Sequence, residues 1–222
     1  VGGESSRPGA EPVSAEEEKR RVLPALEALA QEKFPAFLSI DTYKATVAKA
    51  ATDRGADIIN DISALSDPEM GNVAASSKAA LILMHMRGDP KTMQQGELHY
   101  TNLLEDVRHF FEARLERAIG AGVPREKCML DPGLGFGKTR AHNLYLTKNL
   151  DHFASLGLPI VYGPSRKRFL GEITAQPVED RDRATAAACA LAQLSGAHIF
   201  RVHNTFEVRD ALAVSSALHA AG

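Results

Sequence analysis

Ala56-Asp57-Ile58-Ile59-Asn60-Asp61 is a short apolar run that stops on two polar side chains, and the fold is decided by how often that pattern returns. Its apolar part, residues 56–59, is too short for a stable helix and reads as a buried strand. The same reading applies to residues 36–40 (AFLSI), 80–84 (ALILM), 128–130 (CML), 159–162 (PIVY) and 198–202 (HIFRV). Several carry Val, Ile or Phe, as strands covered on both faces do. Between these runs lie helical stretches at residues 15–33, 42–54, 103–121, 142–156, 180–195 and 205–221. Val22, Leu23, Leu26 and Leu29 recur at three and four in the first of them, and Ser14 with Glu17 predicts a capping box at its start. Pro24 predicts a kink there, or a break into two short helices.

Strand and helix in alternation point to a parallel sheet with right-handed crossovers, either open and doubly wound or closed into a barrel. The strand ends separate the two. Asp41, Asn60 with Asp61, His85, Asp131, Ser165 with Lys167, and Arg201 with His203 close the six runs. A barrel gathers every C-terminal strand end at one mouth, whereas an open sheet needs such residues only at its switch point. The expected fold is therefore α/β, a (β/α)8 TIM barrel, with the chain covering roughly strands 3–8. On that count Val1 to Gly3 form the tail of the second strand, and the first strand lies before Val1. Residues 1–222 read as one domain, without linker or internal repeat beyond the βα period.

Composition limits the function classes. The chain is 44% hydrophobic and 24% charged, which suits a packed globular core. A formal charge of −2 gives no bulk attraction to nucleic acid or an anionic membrane. No apolar run approaches a membrane span. Cys128 and Cys189 lie far apart with no CxxC pattern, so neither a disulfide framework nor a zinc motif is expected. With no signal peptide visible, the expected location is the cytoplasm.

Several constellations carry chemistry. Gly2-Gly3-Glu4-Ser5-Ser6-Arg7-Pro8-Gly9 can wrap an anion with backbone N–H groups, hydroxyls and a guanidinium, though a plain flexible turn has the same composition. Arg201 and His203, two apart at the last strand end, share one side if the strand continues through them. Barrels often build phosphate sites from their last loops. Asp41, Asn60 and Asp131 offer acceptors and an amide to a flat heterocycle bearing N–H donors. Alternatively Asp41 and Asp131 hold Mg²⁺, or Asp41 merely caps a helix. Gly133, Gly135 and Gly137 precede Lys138 and Thr139 without the GxxxxGK[ST] spacing, so a nucleotide loop is not indicated. Phe136 at that loop's tip packs on a ring or simply anchors the loop. Ser165-Arg166-Lys167-Arg168 reads as a solvated turn or as a lysine facing a ligand.

Together GGESSRPGAEPVS, SIDTYKATVAKAA, GADIINDI, LMHMRGDPKTMQ, LDPGLGFGKT with HNL, GPSRKRFLG and GAHIFRVHN resemble the dihydropteroate synthase family, collinearly and from end to end. The resemblance implies a transferase of folate biosynthesis. It would join 6-hydroxymethyl-7,8-dihydropterin diphosphate to p-aminobenzoate, giving 7,8-dihydropteroate and diphosphate. It implies a pterin held by Asp41, Asn60, Asp131 and Lys167, with Arg201 stacked on it and Met84 lining the pocket. Diphosphate would sit on Ser6, Arg7, Arg201 and His203, and p-aminobenzoate beside Phe136, Ser165 and Lys167. Lys167, Arg201 and His203 are the implied catalytic groups. Mg²⁺ is the implied cofactor, with the family's metal ligand lying before Val1 and none in this chain. A homodimer and a sulfonamide target are implied as well. Ser6 stands where threonine is usual and keeps the hydroxyl, while Asn204 stands where aspartate commonly follows the histidine. A pterin-binding methyltransferase would share Asp41, Asn60 and Asp131 but has no need of Arg7, Arg201 and His203. The intact anion and pterin sets argue against a catalytically silent pterin-binding protein. A phosphosugar barrel would explain the glycine loops and Arg201, but not Asp41, Asn60 and Asp131 beside them.

Overall fold

The computed structural model describes residues 1–7, 9–32, 35–88, 93 and 98–221. Pro8 of the first glycine block, Lys33 at the end of the first expected helix, and residues 89–92 and 94 of the LMHMRGDPKTMQ block lie outside the described residues. The described chain groups into two compact units, Val1–Met93 with His109–Leu130, and Gln94–Arg108 with Asp131–Gly222.

In the first unit, β1 (Ser39–Asp41), β2 (Ile58–Asp61), β3 (Ala80–Met84) and β4 (Cys128–Asp131) follow one another across a four-stranded sheet in chain order. The β1–β2 and β2–β3 pairs are parallel, with Asp41 level with Asn60 and Asn60 level with Ile82. Gly2 adds a single parallel bridge to Asp41, where the N-terminal residues are expected to end a strand. Ile40, Ile59, Leu81, Leu83 and Leu130 are fully buried, each worth roughly 1.5–3 kcal/mol. The unbroken apolar runs in the sequence are this doubly covered sheet.

Helices α1 (Ala15–Gln31), α2 (Ala45–Thr52) and α3 (Met70–Ser77) pack successively in the same unit. Glu18, Val22 and Leu26 form the buried stripe of α1, spaced at four as a helix face requires. The expected break at Pro24 does not occur: α1 runs through it as one helix. Pro24 faces solvent, where water can satisfy the carbonyl one turn earlier that loses its amide partner. The capping box is half formed. Ser14 accepts the Glu17 N–H at 3.2 Å, but the Glu17 carboxylate is taken by Arg20 and Arg21. α2 is shorter than the expected 42–54, and α3 has no counterpart among the expected helices.

α4 (Leu103–Gly120) begins in the second unit and continues into the first, burying Phe111, Leu115 and Ala118. In the second unit, β5 (Val161–Tyr162) and β6 (Ile199–Phe200) pair in parallel. Helices α5 (Arg140–Lys148), α6 (Arg168–Thr174), α7 (Asp182–Leu194) and α8 (Thr205–Ala220) belong to this unit, and α7 packs along α8. The expected helix over 142–156 divides into α5 and a 3₁₀ segment, Leu150–Leu156, at Asn149. Tyr162 is fully buried, its hydroxyl 2.9 Å from Thr147 Oγ1. No described helix is long and apolar enough to cross a membrane.

Candidate active site

In the first unit two of the polar strand ends, Asp41 and Asn60, come together. Level pairing of β1 and β2 sets Asn60 beside Asp41, and the Asn60 amide donates to Asp41 Oδ1 at 2.8 Å. Asn60 is buried and its side-chain carbonyl has no hydrogen-bond partner, so the site holds an acceptor awaiting a donor. Asp41 is not a helix cap: Lys44 occupies that position on α2. Met84 ends β3 as a buried side chain. Ser6 is half-buried and shares a small open concavity with Glu4, Ser5, Asp41, Thr42 and Ile62. Arg7 is exposed, its N–H donating to Ser5 Oγ at 3.3 Å.

Asp61, one residue beyond Asn60, has a separate task that the sequence does not disclose. Fully buried, it accepts from Ser63 N–H at 2.8 Å, Ser63 Oγ at 2.7 Å and Leu65 N–H at 2.7 Å. These bonds hold Ala64 and Leu65 in left-handed conformations, which non-glycine residues adopt only when the surroundings enforce them. Burial raises the Asp61 pKa, and the three donors act against it.

In the second unit Asp131 closes β4 almost fully buried and accepts the Gly133 N–H at 2.7 Å. Burial pushes its carboxyl above the usual aspartate range, opposed by the nearby charges of Lys167, Lys138 and Arg201. Lys167 donates to the Leu134 carbonyl and holds its ammonium 4.7 Å from the centroid of the Phe136 ring. Asp131, Phe136 and Lys167 thus face one another around the glycine loop. The Gly135 φ of +77° favours glycine, and the lysine stem passes 3.6 Å from where a Cβ would stand.

Lys138, in the same loop, is buried rather than presented to a ligand. Its ammonium donates to the Gly133 and Phe136 carbonyls, both at 3.0 Å. Burial depresses its pKa well below the usual lysine value; Lys167 adds to that shift and Asp131 opposes it.

The three cations after β5 have three different environments. Arg168 pairs with Glu172 at the surface, as a solvated turn predicts. Arg166 binds Asp182 of α7 through two hydrogen bonds, at 2.7 and 2.8 Å. Its backbone is left-handed, fixed by Thr185 Oγ1 on its N–H and by Arg181 on its carbonyl. That turn orients Ser165 and Lys167 on either side.

Ser165 Oγ lies 2.6 Å from His203 Nδ1 and accepts the His203 N–H at 3.1 Å. The expected strand through Arg201 and His203 is not observed, because β6 stops at Phe200. Arg201 is exposed and Ile199 is 37% exposed, so the shared side expected of Arg201 and His203 is not set by a strand. The Arg201 N–H still extends the register by donating to the Tyr162 carbonyl at 3.0 Å. Asn204 caps α8, accepting from Phe206 and Glu207, and donates to Asp182.

The chain matches the family described as pterin binding enzyme over residues 1–203. It is 45% identical over 221 residues to a dihydropteroate synthase of Synechocystis sp., covering 98% of this chain and 75% of that relative. Among solved structures it is similar to Yersinia pestis dihydropteroate synthase with a sulfonamide drug complex, with TM-score 0.95, 40% identity, and 98% of this chain and 78% of that one covered. It is likewise similar to Xanthomonas albilineans dihydropteroate synthase with 4-aminobenzoic acid, with TM-score 0.92, 40% identity, and coverage of 99% and 78%. The polar strand ends and glycine loops described above are therefore those of a pterin-binding enzyme, and the chain belongs to the dihydropteroate synthases.

Proposed function

We propose that the chain condenses 6-hydroxymethyl-7,8-dihydropterin diphosphate with p-aminobenzoate, releasing diphosphate and forming 7,8-dihydropteroate. The observation that carries this reading is Asp131, a buried carboxyl group beside Lys167 and Arg201, whose pKa burial raises and these two cations draw back down. Such a group suits the N–H edge of a heterocycle, which would replace lost water with hydrogen bonds. Asp131 and Lys167 are proposed pterin ligands in the second unit, with Arg201 stacked on the ring. In the first unit Asp41 and Asn60 are proposed pterin ligands, and Met84 a wall of the pocket. Ser6, Arg7, Arg201 and His203 are assigned to diphosphate, and Phe136, Ser165 and Lys167 to p-aminobenzoate.

In this mechanism the bond between the pterin methylene carbon and the diphosphate oxygen breaks first, and its electron pair leaves with diphosphate. Arg7, Arg201 and His203 are assigned to offset the charge that develops there. The electron-rich pterin carries the positive charge, the arylamine lone pair forms the new C–N bond, and the nitrogen then loses its proton. No covalent enzyme intermediate is required. Neither cysteine suits the role of nucleophile, since burial raises both thiol pKa values, to about 11 for Cys128 and about 12 for Cys189.

Among the described residues no group of three or more His, Cys, Asp or Glu side chains could hold a metal ion. The steps above pass through no metal ion. Mg²⁺ is proposed to accompany the diphosphate, as it does in solution. The (β/α)8 barrel, with this chain covering roughly strands 3–8, is part of the same proposal; it is supported by the four strands of the first sheet, which follow chain order without a reversal. A homodimer is supported by the exposed apolar side chains Leu191 and Leu194 on α7 and Val214 and Leu218 on α8.

The deciding assay measures incorporation of labelled p-aminobenzoate into dihydropteroate, with pterin diphosphate and Mg²⁺ supplied. Incorporation that disappears in Lys167→Ala supports the reading. Absence of incorporation by the folded, pterin-binding protein would overturn it, and a trapped pterin–enzyme adduct would overturn the mechanism.

A further inference from the structure

The Gly2–Arg7 segment carries two of the proposed diphosphate ligands, and the hydrogen bonds described for Arg7 are local ones, its N–H donating to Ser5 Oγ at 3.3 Å and its carbonyl accepting the Ala10 N–H at 3.1 Å. The anchoring lies earlier in the segment, in Gly2, Gly3 and Glu4. Gly2 bridges to Asp41, and the Asp41 N–H donates to the Val1 carbonyl at 2.7 Å. Gly3 packs directly on α1: a Cβ there would meet Glu18 Cγ and Val22 Cγ1, each at 2.9 Å. Glu4 then turns its carboxylate inward, where it receives the Tyr43 hydroxyl at 2.7 Å, the Val13 N–H at 3.3 Å and the Lys44 ammonium.

Lys44 also donates to Glu18 Oε2 at 2.6 Å. Glu18 is 1% exposed, and its second carboxylate oxygen has no hydrogen-bond partner. One ammonium thus lies between two carboxylates from different segments. Glu4 precedes Ser6 and Arg7, Glu18 is on α1, and Lys44 follows three residues after Asp41. Burial alone would lower the Lys44 pKa, but its hydrogen bonds to Glu18 and Glu4 hold it above the usual lysine value. Glu4 in turn stays below the carboxylate range despite its own burial.

We propose that Lys44 is a positioning residue for the diphosphate end of the substrate, fixing the Ser5–Arg7 turn to the strand that bears Asp41 by bridging Glu4 to Glu18. Neither Lys44 nor Glu4 touches substrate in this account. Removing the ammonium would leave two carboxylates facing each other in a buried place, and the most movable element, the Glu4 turn, would swing outward. Ser6 and Arg7 would move with it. The inference rests on the assignment of Ser6 and Arg7 to diphosphate.

The test compares the full protein with Lys44→Met, Lys44→Arg, Glu4→Gln and Arg7→Met. Each is assayed for KM towards pterin diphosphate and p-aminobenzoate, and for inhibition by inorganic diphosphate. The expected result for Lys44→Met and Glu4→Gln is a rise of about tenfold in the pterin diphosphate KM and in the diphosphate inhibition constant, corresponding to about 1.4 kcal/mol. The p-aminobenzoate KM should stay within about twofold, because no ligand assigned to it moves. Lys44→Arg should restore most of the loss. Glu4→Gln keeps the side-chain volume and serves if Lys44→Met does not fold. A uniform fall in kcat, or both KM values rising together, would mean a purely structural role and overturn the inference. If Arg7→Met weakens diphosphate inhibition but Lys44→Met and Glu4→Gln do not, the inference fails by itself. If Arg7→Met has no effect, the diphosphate assignment falls and the inference with it.

Discussion

Replacing Lys138 by methionine should loosen the glycine loop beside the proposed p-aminobenzoate site, and its cost can be worked from the structure. The side chain is 3% exposed and satisfies two carbonyls, Gly133 and Phe136, each at 3.0 Å. Leaving a buried acceptor unsatisfied costs about 1–3 kcal/mol, and because the Gly133 carbonyl keeps the Phe136 N–H at 3.1 Å, the gross loss is about 1–3 kcal/mol. Methionine returns part of this, because it fills similar volume and removes a buried charge whose desolvation costs several kcal/mol. The net destabilisation expected is about 1–2 kcal/mol, or a fall in Tm of roughly 2–8 °C for a chain of this size.

The linkage gives a second, independent signature. Burial lowers the folded-state pKa of Lys138 below that of the unfolded chain, so the unfolded protein binds more protons between the two values. Stability should therefore rise with pH through that window, up to about pH 10.4, and the rise should flatten in Lys138→Met. Kinetically the variant should raise the p-aminobenzoate KM by about tenfold, because the loop carries Phe136 and the carbonyl that receives Lys167. Urea titrations across pH with steady-state kinetics would check all three. A variant as stable as the parent, with an unchanged pH slope and unchanged KM, would refute the reasoning.

Two further outcomes follow from the same geometry. Asn204→Ala removes the N-cap of α8 and the hydrogen bond to Asp182, and should cost about 1 kcal/mol, read as a Tm fall of roughly 2–4 °C. An unchanged Tm would show that the cap is redundant. Cys128 and Cys189 should resist a thiol reagent at pH 8, since burial first raises their pKa values, to about 11 and about 12, and the reactive thiolate is scarce below them. Both should label promptly in denaturant, and native labelling at the rate of a free thiol would contradict the burial.

The strands are legible because parallel strands covered on both faces leave unbroken apolar runs, and the polar residues that end them are conspicuous against that background. Asp41 and Asn60 follow directly: their level register is implicit in two similar runs, and the amide–carboxylate bond bears it out. Helix boundaries are less legible, since α2 begins only after Lys44 although Thr42 and Tyr43 do not forbid helix. α3 is hidden because Met70–Ser77 is rich in small residues and has little apolar periodicity to signal it. Arg201 misleads for a different reason. Period-two reasoning requires the strand to continue, but β6 is two residues long.

What the sequence conceals most thoroughly is the paired charge, buried or half-buried, beside the proposed site. Lys44, Lys138, Arg166 and Asp61 all look like surface residues by type, and each is defined by a partner remote in sequence or by backbone groups that only the folded chain presents. Glu4 lies 40 residues from Lys44, and Asp182 lies 16 from Arg166. The three cations Arg166, Lys167 and Arg168 show the consequence. They are adjacent and chemically alike, yet one locks a strained turn, one faces Asp131 and Phe136, and one meets solvent. Residue type and spacing can nominate the group but not divide it, because the division is made by α7, which supplies Asp182 and Thr185 to Arg166 alone. The residues proposed to face ligands are therefore readable from the strand ends, while the residues that position them are readable only from packing.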